Sequence, residues 1–182
     1  KELVDWKNRE QHKPLILNGV RQCGKTYILK EFGRNEFDNL AYISCDRNES
    51  LHAIYAGDFD TARIIRGLSA LTGVDIIPGK TLIFLDEVQA FPQALEALKY
   101  FCEDAPEYHI VVAGSLLGVA LHAGISFPVG KVQSMRLFPM DFEEFLMAMG
   151  EDQLLCLMHN KDYGVMNALH EKLKDYLRQY YY

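Results

Sequence analysis

The chain is short of several features, and each shortage removes a class of function. No run of 18 apolar residues occurs, so no transmembrane helix is expected. The opening residues, Lys1-Glu2-Leu3-Val4-Asp5-Trp6, carry neither the apolar core nor the small-residue cleavage site of a secretion signal. Cysteine is scarce: Cys23, Cys45, Cys102 and Cys156 lie far apart and form no C-x-x-C pair. That pattern argues for reduced thiols and a cytoplasmic location. Six histidines are scattered without H-E-x-x-H or a comparable spacing, so no zinc site is expected. Basic blocks are missing too. The net charge is −6; residues 141–182 hold 4 basic and 8 acidic side chains (−4), and the first 140 hold 15 and 17 (−2). This is the wrong sign for a general nucleic-acid footprint. Arg63 and Arg66, three apart, read as a solvated helix face.

What is present has the size and composition of an ordinary globular domain with a small appendage: 182 residues, 49% hydrophobic and 24% charged. Its strongest signal is Gly19-Val20-Arg21-Gln22-Cys23-Gly24-Lys25-Thr26, which fits G-x-x-x-x-G-K-[ST]. Pro14-Leu15-Ile16-Leu17 reads as a buried strand entering it. Tyr27 to Phe32, ended by Gly33, reads as the helix leaving it. A triphosphate needs many converging donors, which backbone N–H groups and a helix N-terminus supply. Gly19 and Gly24 allow a tight turn and a close approach to phosphate. Lys25 reaches the β- and γ-phosphates, and the Thr26 hydroxyl is placed to ligate Mg²⁺. Cys23 reads as a small filler of this loop.

Further along, a short helix is expected within residues 1–12, a strand over Leu40–Ser44 closed by Asp46-Arg47-Asn48, and a helical turn or two over Leu51–Tyr55. Asp60 caps a helix over Thr61–Leu71 that Gly73 stops. Thr81–Leu85 is a continuous apolar strand of the kind covered on both faces. Pro92 opens a helix with Ala94, Leu95, Leu98, Phe101 and Cys102 on its buried stripe. His109–Ala113 is a buried strand followed by Gly114-Ser115 and a short helix to Leu121, and Val132–Leu137 is the last strand. From Asp141 only helices are expected: one capped by Asp141, one over Leu154–Met158, and one over Val165–Tyr180. Strands alternating with helices imply a parallel sheet covered on both faces.

The second strong signal is Leu82-Ile83-Phe84-Leu85-Asp86-Glu87. A strand ending in two acids puts them at the carboxyl edge of the sheet, where open α/β sheets bind ligands. Asp86 would share the Mg²⁺ shell with Thr26, and Glu87 is placed to polarise the attacking water.

Four segments together resemble an AAA+ ATPase: Leu17–Thr26, Phe84-Leu85-Asp86-Glu87-Val88-Gln89, Val112-Ala113-Gly114-Ser115 and Leu137–Leu146. Within that superfamily they resemble a prokaryotic "ATP-binding protein" family, which pairs an AAA-type core with a C-terminal domain of unassigned function. The resemblance implies a three-layer α/β P-loop NTPase over residues 1–140. Its five-stranded parallel sheet would have the P-loop strand central, and a helical lid, or the start of a C-terminal region, would fill residues 141–182. It implies ATP and Mg²⁺ as cofactors and a nucleotide cradle over Gly19–Tyr27. It also implies Glu87 and Lys25 as catalytic residues, with Ser115 as the polar sensor ending the fourth strand. Arg21 and Gln89 match family positions, where each either touches phosphate or water or braces the site. The family's C-terminal half would lie beyond residue 182. The family's arginine near the start of the last strand is replaced by Gly130-Lys131; Lys131 and Arg136 stand as candidates for a trans-acting finger, and Lys is no equivalent of Arg in a forked contact.

The reading is ATP binding with Mg²⁺-dependent hydrolysis that switches or drives a partner, with an unknown protein client or DNA and a homo-oligomer left open. One alternative is a small-molecule or nucleotide kinase, against which stands a final stretch with a single arginine, Arg178. Another is a non-hydrolysing, ATP-dependent scaffold for protein or DNA. A GTPase fits poorly, because Asn160-Lys161-Asp162 only partly matches N-K-x-D and falls among helices.

Overall fold

The computed structural model describes residues 1–114 and 129–181. They fall into two compact units, Lys1–Phe138 and Pro139–Tyr182. In the first, helix α1 (Glu2–Lys7) precedes strand β1 (Leu15–Gly19), helix α2 (Lys25–Glu36) and strand β2 (Asn39–Ser44). Helices α3 (Ser50–Ile54) and α4 (Thr61–Thr72), strand β3 (Thr81–Asp86), a 3₁₀ turn (Val88–Ala90), helix α5 (Gln93–Asp104) and strands β4 (His109–Gly114) and β5 (Gln133–Leu137) follow.

All five strands are parallel, in the order β2-β3-β4-β1-β5. The P-loop strand β1 is therefore internal, between β4 and β5, one place from the edge rather than in the middle. Strand alternation sorts the apolar runs onto two faces. Ile16, Ile43, Ile83, Leu85, Ile110 and Val112 pack with Ile64, Leu68, Leu95 and Leu98 of α4 and α5. Leu15, Leu17, Leu82, Phe84, Val111 and Ala113 pack with Leu29 and Phe32 of α2 and with Trp6 of α1. A sheet apolar on both faces is what the uninterrupted runs in β3 and β4 require.

Local signals set most boundaries. The Asp60 carboxylate accepts from the N–H groups of Ala62 and Arg63, and Gly73 closes α4 in the left-handed conformation (φ 68°). Gly33 behaves otherwise than expected: α2 runs through it to Glu36. A Cβ built there would stand 2.7 Å from Leu40 Cδ1 and 3.2 Å from Leu82 Cδ2. The glycine lets α2 lie close over the sheet, and its helix cost of about 1 kcal/mol is offset by that approach.

The second unit holds α6 (Phe142–Ala148), α7 (Asp152–His159), α8 (Tyr163–Ala168) and α9 (His170–Tyr181). Asp141 starts α6 with a reciprocal capping box to Glu144. The single helix expected over Val165–Tyr180 is two helices that part at Leu169. Leu146, Leu154 and Leu155 form the unit's small core, with Phe145, Leu173 and Tyr176 against it.

In the first unit, β4 starts in a cluster of aromatic side chains. His109 and His12 stack face to face, 3.8 Å between ring centres, with Trp6 and Phe37 edge-on to His109. His109 Nε2 faces the Lys7 carbonyl at 3.1 Å, while Nδ1 is buried without a partner. Burial, then the neighbouring His12, lowers the His109 pKa to about 4. Unfolded, the same ring titrates near 6.5, so the unfolded chain binds the extra proton as pH falls. The native state should thus lose stability between pH 6.5 and about 4 through this group, and His109→Phe should lose less over that interval. Denaturant midpoints measured across the range check this.

Candidate functional site

The carboxyl ends of β1 and β3 meet at one cavity of about 640 Å³. Its wall is formed by Arg21, Gln22, Gly24, Lys25, Thr26 and Tyr27 from the loop and the start of α2, by Asp46 after β2, and by Glu87, Gln89 and Ala90 after β3. The loop ends in a left-handed pair of turns, Gln22 at φ 64° and Gly24 at φ 90°. Such conformations aim successive N–H groups into one concavity and suit an anion. Gly24 starts α2 as its N-cap and has no neighbour within 4 Å of a built Cβ, so its φ is what calls for glycine.

Gly19 is constrained from within the protein as well. A Cβ there would stand 2.6 Å from the Leu137 carbonyl and 2.8 Å from Cys23 Sγ. It is glycine because the end of β5 and the loop's own cysteine press against it. Gly19, Val20 and Cys23 are not among the residues that line the cavity. Cys23 Sγ lies 3.8 Å from the Leu137 carbonyl, consistent with a filler.

Lys25 is buried, and its Nζ donates to the carbonyls of Gly19 (3.0 Å) and Val20 (2.7 Å). The ammonium is thus held by its own loop, at the cavity edge. One residue on, Thr26 Oγ1 donates to Asp86 Oδ2 at 2.7 Å, across 60 positions of sequence. Asp86 is only 4% exposed. Its other oxygen accepts from the Glu87 N–H at 3.0 Å, and Oδ2 also accepts a longer bond, 3.4 Å, from the Tyr42 hydroxyl. Burial first, then the charge of Asp86, raises the Tyr42 pKa, so the phenol remains a donor.

Glu87 faces the other way. It is exposed and adopts φ 53°, which turns the chain at the end of β3 and opens the 3₁₀ turn. Its carboxylate accepts from the Gln89 amide. Behind it, burial and then the charges of Asp86 and Glu87 push the Cys45 thiol up to about 12, leaving it unreactive at neutral pH.

The remaining sequence candidates lie apart. Ser115 falls outside the described residues. Lys131 pairs with Glu103 at 3.0 Å, and Arg136 lies over the Phe138 ring at 5.2 Å; neither lines the cavity. Sequence reasoning missed Asp46 and Tyr42. Asp46 had a usable signal, an acid just past a strand end as at Asp86, whereas Tyr42 reads as an ordinary strand aromatic.

A parallel sheet with a P-loop between β1 and α2, and an acid at the end of a second internal strand, defines a P-loop nucleotide-binding protein. The chain belongs to the AAA domain family, whose model matches residues 11–146. The family is one of AAA+ P-loop ATPases, so nucleotide binding comes with membership. The solved structure of the Aeropyrum pernix Orc1 protein in complex with DNA shares the fold, with TM-score 0.50 and 16% identity. The match covers 82% of this chain and 46% of that one, so the chain spans less than half of that protein's length. No curated protein sequence matches the chain. Among the described residues, no helix is long and apolar enough to cross a membrane.

Because the end of β5 crowds Gly19, Gly19→Ala should harm the fold itself. The added methyl should cost about 1–3 kcal/mol, read as a lower denaturant midpoint with no nucleotide present.

Proposed function

We propose that the chain binds ATP at this cavity and, with Mg²⁺, hydrolyses its γ-phosphate to switch or drive a partner. The observation that carries the reading is the 2.7 Å contact between Thr26 and Asp86, which joins the phosphate loop to the strand-end acid beside one cavity. The donor set suits the metal. Mg²⁺ prefers hard oxygens and takes one or two from protein, with phosphate and water completing six. Here a hydroxyl and a carboxylate already converge, and no cluster of three or more His, Cys, Asp or Glu side chains occurs among the described residues. Bound there by Thr26 and Asp86, the ion would neutralise charge on the β- and γ-phosphate oxygens.

The protein's own share is positioning and electrostatics. The loop N–H groups and the α2 N-terminus take the phosphates, and Lys25 moves from its two loop carbonyls to phosphate oxygens. Glu87, exposed at the cavity, takes the proton of the attacking water, whose oxygen forms the new bond to phosphorus as the bond to ADP breaks. Arg21 braces the phosphate end, and Gln89 braces Glu87. On the same reading, Ser115 is the polar sensor, the helices from Pro139 act as a lid, and a finger in trans comes from Lys131 or Arg136.

Lys25→Ala should abolish ATP binding measured by calorimetry. Glu87→Gln should retain ATP binding while phosphate release falls by about 100-fold or more; wild-type turnover in that variant would remove Glu87 from the chemistry. A new phosphorylated product from an added acceptor, instead of free phosphate, would favour a kinase.

A further inference from the structure

Tyr42 stands between two parts of the proposed site, and neither the loop motif nor the family assignment gives it a task. Its ring lies edge-on to Phe84, 5.3 Å between centroids, and Lys30 Nζ sits 3.5 Å from the ring centre. Lys30 is four residues beyond Thr26 on α2, so the two side chains leave the same face of that helix. Thr26 reaches Asp86 directly, and Lys30 reaches it through Tyr42, whose hydroxyl donates to the same Oδ2. The strand register permits this: Tyr42 lies opposite Phe84, which shares a face of β3 with Asp86.

We infer that Tyr42 is a positioning residue for Asp86, fixing the carboxylate oxygen offered to magnesium and tying that oxygen to the phosphate-loop helix. The inference rests on the magnesium reading above and extends it. A carboxylate can rotate about its last bond; here the Glu87 N–H holds Oδ1, and two hydroxyls from different elements hold Oδ2. Outer partners of metal ligands set ligand orientation, and their removal typically weakens metal affinity about 10–100-fold. Phe84 and Lys30 both contact the ring, which limits where its hydroxyl can sit.

The test is Tyr42→Phe, which removes one oxygen and keeps the ring, beside Asp86→Ala and the wild-type chain. ATP binding is measured calorimetrically with a chelator and across a magnesium titration. Tyr42→Phe should bind ATP in chelator as the wild type does, and the magnesium concentration needed for full ATP affinity should rise about 10-fold. Equal losses with and without magnesium would show a packing role and overturn the inference. So would a wild-type magnesium response in Tyr42→Phe while Asp86→Ala has lost it, and Asp86 would then keep its assignment. If Asp86→Ala itself responds to magnesium as the wild type does, the reading of Asp86 falls and Tyr42 falls with it.

Discussion

The hydrogen bond from Thr26 to Asp86 is the constraint on which the ligand edge depends. Thr26 opens α2, which follows β1, and Asp86 ends β3; those two strands are not neighbours, since β4 lies between them. The connection from β1 to β2 therefore passes over two intervening strands, and α2, which makes that crossing, touches β1, β3 and β2 in turn. Gly33 belongs to the same requirement. It sits where α2 passes over Leu40 and Leu82, and a side chain there would press on the tips of both leucines. In return, three donors converge on a carboxylate that burial would otherwise leave uncompensated.

Much of this was legible in the residues, and the parts that were not share a cause. The phosphate loop, the two-acid strand end and the Asp60, Gly73 and Asp141 caps are local devices, complete within a few residues, so sequence displays them fully. Gly33 looked like a helix stop because stop signals are local, yet its reason is tertiary: two leucines on two strands. Gly19 likewise answers to the end of β5, where the Leu137 carbonyl leaves no room for a Cβ. The break at Leu169 interrupts an apolar spacing that is itself continuous, so periodicity alone joins α8 to α9. Tyr42 was invisible as part of the site, because a half-buried strand aromatic is what any edge strand over a core would carry.

The backbone departs from ordinary geometry at the same edge. Among the described residues, four other than glycine have positive φ, and three of them, Gln22, Arg47 and Glu87, follow the ends of β1, β2 and β3. Each such residue costs of order 1–3 kcal/mol and persists only where surrounding structure over-determines it. The hydrogen-bonded parallel sheet that carries all three strand ends supplies that rigidity. The turn at Glu87 also explains how adjacent acids take opposite environments: Asp86 ends the strand facing inward, and the left-handed step sends Glu87 outward. A metal ligand needs a fixed, shielded carboxylate, and a base needs an accessible one.

A chain with net charge −6 can still hold a triphosphate only if attraction is local and directional. The loop meets this with backbone donors rather than a basic surface, and with one ammonium already satisfied by two carbonyls. On the proposed reading, phosphate would compete with those carbonyls for Lys25, so binding would exchange hydrogen bonds rather than simply add them. On that reading the net affinity would be smaller than a count of donors implies, while discrimination would be larger. On that reading an anion too small to reach both Lys25 and the α2 N-terminus would not repay the exchange, and an anion that spans them would.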